Sequence, residues 1–113
     1  MKIAVRQKEG VTILEPTGKI TIGAGDVALR SAVHEAMEAG ARRLLLNLEG
    51  VTTIDSSGIG EMVSAYTTVT NRGGRLALMN LPAKVTDILQ ITQLITVFDV
   101  YDNEAEAVEA LKP

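Results

Sequence analysis

The 113-residue sequence contains no cysteine and no tryptophan, and its aromatic residues are two tyrosines and one phenylalanine. The missing thiols exclude disulfides, thiol catalysis and thiolate-bound zinc or iron–sulfur sites. So few aromatic side chains cannot build a base-stacking surface. Basic residues form no run longer than Arg42-Arg43, and the net charge is −3. Because phosphate neutralisation needs clustered positive charge, we expect no binding to nucleic acid.

Long hydrophobic runs are also missing. No apolar stretch approaches the ~20 residues that cross a bilayer, and the segment Met1–Arg6 reaches a charge before a signal-peptide core could form. These features predict a cytoplasmic protein without membrane insertion. A content of 46% hydrophobic and 22% charged residues is typical of a globular domain. We therefore expect one domain over residues 1–113, with a core that needs neither disulfide nor metal.

Strand-like patterns recur along the chain and are separated by turn residues. Apolar residues alternate with polar ones on both sides of Glu9-Gly10, which predicts an N-terminal hairpin whose second strand ends at Pro16 and Gly18. Later strand-like segments are apolar at nearly every position, which is typical of strands covered on both faces. They are Leu44–Leu48 with a possible extension at Val51–Ile54, Leu76–Met79, and Ile95–Phe98 with Val100.

Four segments have helical apolar spacing. Asp26 is the predicted N-cap of the first helix and Gly40 its stop, Pro82 opens the third, and Asn103 caps the fourth. The second helix has its apolar positions at i, i+3, i+4, i+7 and i+10: Ile59, Met62, Val63, Tyr66 and Val69. The element order predicts an α/β domain, with a mixed, mostly parallel sheet of about five strands, an N-terminal hairpin and four flanking helices.

One segment carries groups suited to chemistry. Asp55, Ser56 and Ser57 fall between a strand and the second helix, where unpaired N–H groups and the helix dipole favour an anion. Asp and Ser are also the preferred N-caps, so helix capping alone is one interpretation. The other is a phosphorylation switch. A phosphoserine would add a charge of about −1.5 to −2, which the helix terminus tolerates and a docked partner does not.

The segment Asp55–Gly60, preceded by Leu44–Ile54, resembles the signature of the STAS-domain anti-sigma factor antagonists, also called anti-anti-sigma factors. The resemblance covers nearly the whole chain, and its short pieces occur in order and at the family's spacing. The other pieces are Thr17–Ile20, Arg72–Leu76, Leu81–Val85, Phe98–Tyr101 and Glu104–Ala107. The resemblance implies a STAS-type single domain that acts in bacterial signalling as a non-enzymatic regulator of transcription.

The resemblance also implies a partner-switching cycle. In the family, the unphosphorylated antagonist binds an anti-sigma factor that is also a serine kinase of the GHKL type, and this binding releases the sigma factor. The kinase then phosphorylates the antagonist and breaks the complex, and a phosphatase of the PP2C type restores it. The family's phosphoacceptor maps onto Ser56. The partner-binding residues implied by the resemblance are Asp55, Ser56, Ser57, Gly58, Ile59 and Met62.

Three short segments depart from the family pattern. Many members carry an aspartate two residues after the position of Lys19, where this chain has Thr21. The family usually runs straight into the first helix, whereas this chain has the glycine-rich segment Ile22–Asp26. Near the end of the third helix the family often has Thr-Gly-Leu, and this chain has Thr92-Gln93-Leu94. The first two differences concern kinase recognition rather than the fold.

Other chemistries have weaker support. A serine hydrolase needs a histidine base, and the only histidine, His34, falls in the middle of a helix. The chain lacks a P-loop lysine, and the spacing of Gly58 and Gly60 fits no dinucleotide fingerprint, which leaves nucleotide binding as a weak option. The acidic stretch Asp99–Glu106 indicates a helix start rather than a metal site. We expect no enzyme activity, cofactor or metal.

The main alternative keeps the fold and changes the partner. STAS domains also serve as scaffold subunits of stress-signalling complexes and as cytoplasmic components of lipid transporters. Either use could retain the segment Asp55–Gly58, because neither a fold nor a short motif determines the partner. Phosphorylation of Ser56 by a switch kinase would distinguish the antagonist from the scaffold.

Overall fold

The computed structural model describes all 113 residues as six strands and four α-helices. The strands are β1 (Lys2–Lys8), β2 (Val11–Ile20), β3 (Arg43–Asn47), β4 (Val51–Ile54), β5 (Arg75–Met79) and β6 (Asp99–Tyr101). The helices are α1 (Gly25–Glu38), α2 (Ser56–Asn71), α3 (Ala83–Ile91) and α4 (Glu104–Leu111), and a 3₁₀ turn spans Leu94–Thr96. None of the helices combines the length and the apolar character that crossing a bilayer requires.

The strands form one mixed sheet in the order β1-β2-β3-β5-β6, with β4 paired to the far end of β2. Only β1 and β2 are antiparallel, and all other pairs are parallel. This architecture confirms the predicted α/β domain with an N-terminal hairpin and four helices. The sheet has six strands rather than about five because Val51–Ile54 forms a strand of its own instead of extending β3.

The hairpin turn is at Glu9 and Gly10, as predicted, and both residues have positive φ angles of 50° and 81°. Such a turn matches the right-handed twist of the strands that it joins. The predicted end of β2 at Pro16 and Gly18 is wrong, because the strand continues to Ile20. Pro16 is tolerated because it lies between the segment of β2 that pairs with β3 and the segment that pairs with β4.

Two further local predictions are wrong. Ile95–Phe98 is not a strand, since Gln93 adopts a left-handed conformation and the chain then makes a 3₁₀ turn before β6. The turn brings Phe98 into the core, where its ring packs edge-on against Tyr66 at a centroid distance of 5.5 Å. The N-cap of α1 is Ala24 rather than Asp26, whose carboxylate instead accepts the backbone N–H of Gly23 within the preceding loop.

Both faces of the sheet are covered. The larger core cluster of 19 buried residues lies under α1, α2 and α3, and a cluster of eight lies under α4. Leu44 and Leu46 of β3 contribute to the larger cluster, whereas Leu45 contributes to the smaller one. This confirms the interpretation of the continuous apolar run as a central strand, because a strand with only one covered face would alternate.

Two glycines seat the first turns of α1 and α2 on the end of β2. A Cβ added to Gly25 would lie 2.1 Å from the carbonyl oxygen of Lys19, and one added to Gly58 would lie 2.1 Å from that of Ile20. Neither position has room for a side chain, so backbone packs directly on backbone. Both helices therefore begin at the same edge of the sheet.

A charged network ties the hairpin to α4. The Arg6 guanidinium binds the carboxylates of Glu15 and Glu104, and Lys8 lies 3.4 Å from Glu104. Hydrogen bonds from Arg6 and then from Asn47 lower the pKa of Glu15, and hydrogen bonds from Arg6 and then Lys8 outweigh desolvation to lower the pKa of Glu104. Because all these side chains are partly solvated, their combined contribution to stability is about 1 kcal/mol or less.

The close packing of Gly58 on β2 predicts that two glycine substitutions in α2 have opposite effects on stability. Gly58→Ala should lower the free energy of unfolding by about 1–3 kcal/mol, because the added methyl group overlaps the Ile20 carbonyl. Gly60→Ala is the matched control, since a Cβ at this position would meet no atom within 4 Å apart from its chain neighbours and the backbone of its own helix. It should be neutral or raise stability by up to about 1 kcal/mol through helix propensity. Urea unfolding measures both, and equal effects would contradict the packing argument.

The charged network predicts a stability loss in acid. Glu15 and Glu104 have pKa values below the ordinary ~4.3 of glutamate. Their stabilisation is therefore present above that value and is lost as pH falls through the lowered pKa values. Arg6→Met should be less stable at pH 7 and should lose less further stability down to pH 3. Urea unfolding at both pH values, with Arg72→Met as an exposed-arginine control, tests this; parallel losses in Arg6→Met and the parent would contradict it.

Candidate functional site

The candidate site is the first turn of α2, and its geometry depends on Asp55. Asp55 is the N-cap of the helix, with an extended backbone, and its Oδ1 accepts the backbone N–H of Gly58 at 2.9 Å. An aspartate with this conformation satisfies one of the unpaired N–H groups at the start of a helix. Capping therefore accounts for Asp55.

The second oxygen of the same carboxylate reaches another element. Oδ2 of Asp55 accepts the backbone N–H of Ile22, in the loop between β2 and α1, at 3.0 Å. The two hydrogen bonds, from Gly58 first and Ile22 second, lower the pKa of Asp55 below its usual range. The carboxylate is thus ionised at neutral pH, and it joins the β2–α1 loop to the start of α2.

The two serines lie beside this carboxylate without capping the helix. Ser56 is the first residue of α2 and is exposed, and Ser57 is half-buried. The exposed hydroxyl of Ser56 is therefore accessible to a macromolecular partner, and it lies at the helix end that favours an anion. Because Asp55 already supplies the cap, capping does not explain why serine occupies this position.

The other predicted partner-binding residues are buried. Gly58 packs on β2, Ile59 is 6% exposed and Met62 is 0% exposed within the larger core cluster. The expectation that Met62 and Ile59 contact a partner is corrected by this burial, because both side chains fill the space between α2 and the sheet. Gly58 permits close packing of α2 on β2 within the chain. Of the predicted residues, Asp55, Ser56 and Ser57 remain accessible.

An ion pair between α1 and α2 was not predicted from the sequence. The Glu61 side chain is 10% exposed, and its two oxygens accept hydrogen bonds from Nε and Nη2 of Arg30 at 3.2 and 3.0 Å. A glutamate inside the apolar register of α2, between Ile59 and Met62, is the signal that could have indicated it. The pair joins α2 to α1 one helical turn beyond Ser57.

The structure does not bring the histidine to the serines. His34 is nine residues beyond Gly25, about 14 Å along α1 from the edge where α2 begins. Its Nε2 lies 3.9 Å from Glu38 of the same helix. No group of three or more His, Cys, Asp or Glu side chains is placed to hold a metal ion. The only histidine therefore lies too far along α1 to act as a base for Ser56 or Ser57.

The site lies outside the two grooves that line α1. A groove of about 1000 Å³ lies between β1 and α1, and a smaller one lies between α1 and α2. Neither groove is lined by Asp55, Ser56 or Ser57. An exposed hydroxyl outside these grooves suits a protein partner better than a small molecule, which binds in a concave, mostly apolar site.

The chain is similar to proteins of known sequence and of known structure. The anti-sigma F factor antagonist of Paenibacillus polymyxa is 26% identical over 113 residues, which cover 99% of this chain and 96% of that protein. The crystal structure of the Thermotoga maritima protein TM1081 superposes with a TM-score of 0.89 at 26% identity and covers 98% of this chain and 95% of that one.

The fold is also that of the Bacillus cell fate determinant SpoIIAA, solved in its phosphorylated form. Its TM-score is 0.73 at 19% identity, with coverage of 96% of this chain and 98% of that one. The family model of the STAS domain matches residues 2–107. That match includes the whole sheet and the candidate site. The chain therefore belongs to the STAS domain family.

Proposed function

We propose that the protein is an anti-sigma factor antagonist whose binding is switched off by phosphorylation of Ser56. The observation that carries the proposal is the exposed Ser56 hydroxyl at the first residue of α2, next to a cap that Asp55 already supplies. The Paenibacillus polymyxa relative is named as an antagonist of an anti-sigma factor. SpoIIAA, which shares the fold, occurs in a phosphorylated form.

The unphosphorylated protein binds an anti-sigma factor through the surface around Ser56. The partner is a serine kinase of the GHKL type, and its capture by this protein releases the sigma factor. The kinase transfers the γ-phosphoryl group of ATP to Oγ of Ser56. A bond forms between Oγ and phosphorus, the bond to the β-phosphate oxygen breaks, ADP leaves, and the hydroxyl proton passes to a base of the kinase.

The phosphate disrupts the interface without unfolding the domain. It adds a charge of about −1.5 to −2 at a helix N-terminus, where unpaired N–H groups and the dipole favour an anion. The neighbouring Asp55 carboxylate is ionised and bonded to backbone N–H groups, so the surface becomes strongly negative. A partner surface packed there loses its complementarity. A phosphatase of the PP2C type then hydrolyses the phosphoserine and restores binding.

Variants of Ser56 should have opposite effects on partner binding. Ser56→Ala cannot be phosphorylated, and it should retain the kinase in the presence of ATP. Ser56→Asp places a permanent negative charge at the site and should bind at least about 10-fold more weakly, which corresponds to about 1.4 kcal/mol. Ser57→Ala is the matched control, because it removes the adjacent hydroxyl and leaves Ser56 available.

The measurement is affinity capture from native cells, followed by phosphosite mapping of the recovered chain by mass spectrometry. Recovery of a small ATP-binding kinase on Ser56→Ala, with phosphate on Ser56 in the unbound parent, supports the proposal. Equal binding by Ser56→Ala and Ser56→Asp would remove the switch. Recovery of a large, stable assembly with unmodified Ser56 would favour a scaffold or transporter subunit instead.

A further inference from the structure

The large apolar side chain of Ile22 is exposed beside the candidate site. Ile22, in the loop between β2 and α1, is 76% exposed, and only Ile91 at 81% exceeds it among the large hydrophobic residues. Isolated surface isoleucines are common and need no explanation by themselves. Ile22 differs because its backbone is bonded to the residue that organises the first turn of α2.

The loop is held by hydrogen bonds at several points. The N–H of Ile22 donates to Oδ2 of Asp55 at 3.0 Å, and the N–H of Gly23 donates to Oδ1 of Asp26 at 3.0 Å. The N–H of Asp26 donates to the carbonyl of Thr21 at 3.1 Å. The exposed side chain is therefore presented on an ordered backbone, so little conformational entropy is lost when a partner buries it.

Ile22 and Ser56 lie on one surface because Gly25 and Gly58 let α1 and α2 pack closely on the end of β2. Gly25 and Gly58 pack on consecutive carbonyls at the end of β2, which places the loop and the start of α2 side by side. Ile91 is at the end of α3, a helix that starts after β5 at this edge of the sheet and runs to the opposite one. Of these two isoleucines, Ile22 lies beside the proposed phosphoacceptor.

We infer that Ile22 is an apolar anchor that enters a hydrophobic pocket on the kinase and directs the kinase to Ser56. This inference rests on the proposed function and deepens it by naming a determinant of partner choice. Interfaces commonly combine a buried apolar anchor with a polar surround, and here the surround is Asp55, Ser56 and Ser57. The anchor acts in binding and makes no contact with the transferred phosphoryl group.

The test compares two isoleucines of similar exposure, Ile22 and Ile91. Ile22→Ser should weaken binding of the kinase recovered with Ser56→Ala by about 10- to 100-fold, the effect expected from losing the burial of one such side chain. Ile91→Ser should bind as the parent does. Both substitutions are at exposed positions, and unchanged urea midpoints would verify that neither unfolds the domain.

Phosphorylation kinetics provide a second readout. With the same kinase and ATP, Ile22→Ser should raise KM for the protein substrate and leave kcat nearly unchanged, because the anchor contributes equally to ground-state and transition-state binding. A fall in kcat alone would overturn the anchor and indicate misplacement of Ser56 instead. Asp55→Asn should speed amide exchange at Ile22, because the single side-chain oxygen keeps the cap on Gly58 and the NH2 group cannot accept the Ile22 N–H.

The outcomes separate this inference from the proposed function. If Ser56→Asp abolishes binding while Ile22→Ser binds like the parent, the switch stands and the anchor is overturned. Equal losses in Ile22→Ser and Ile91→Ser would also overturn it, because the effect would not depend on position. If Ser56→Ala and Ser56→Asp bind equally, the switch fails, whatever Ile22→Ser does. Failure of Ser56→Ala to recover a kinase would overturn both.

Discussion

The contact between the Gly58 backbone and the Ile20 carbonyl is the constraint on which the rest of the site depends. It lets α2 start directly on the end of β2, and Gly25 does the same for α1 at the preceding carbonyl. With both helices seated on one strand end, the β2–α1 loop and the first turn of α2 become neighbours. A side chain larger than hydrogen at either glycine would force the helices away from the sheet.

Because the loop and the helix start are neighbours, Asp55 forms hydrogen bonds to both. One carboxylate caps α2 through Gly58 and holds the β2–α1 loop through Ile22, so a single residue supports both the helix and the loop. Ser56 follows this cap as an exposed residue at the start of α2, so a phosphate placed there under the proposed function would meet favourable backbone dipoles and an adjacent negative charge. The proposed modification would therefore change the electrostatic character of the surface without disturbing the cap of α2.

The sequence was sufficient to predict those features that depend on neighbouring residues in the chain. The hairpin turn at Glu9 and Gly10, the buried run in β3 and the capping of α4 by Asn103 were predicted because turn geometry, double-sided burial and capping depend on neighbouring residues. The candidate segment at Asp55 and Ser56 was found for the same reason, since strand–turn–helix junctions have a characteristic composition. The resemblance to the STAS family added the order of the pieces and is confirmed by the family match.

Tertiary structure alone decided which side chains face outward and which elements meet. Met62 belongs to the apolar register of α2 but was expected at the partner surface, and the position of the sheet shows that it lies in the core while Ser56 of the same helix is exposed. The same holds for the continuation of β2 beyond Pro16 and for the turn that buries Phe98. The sequence by itself determined the elements and the chemical groups at the start of α2. The bond from Ile22 to Asp55 spans 33 residues, and only packing of the two helices on the end of β2 brings its partners together.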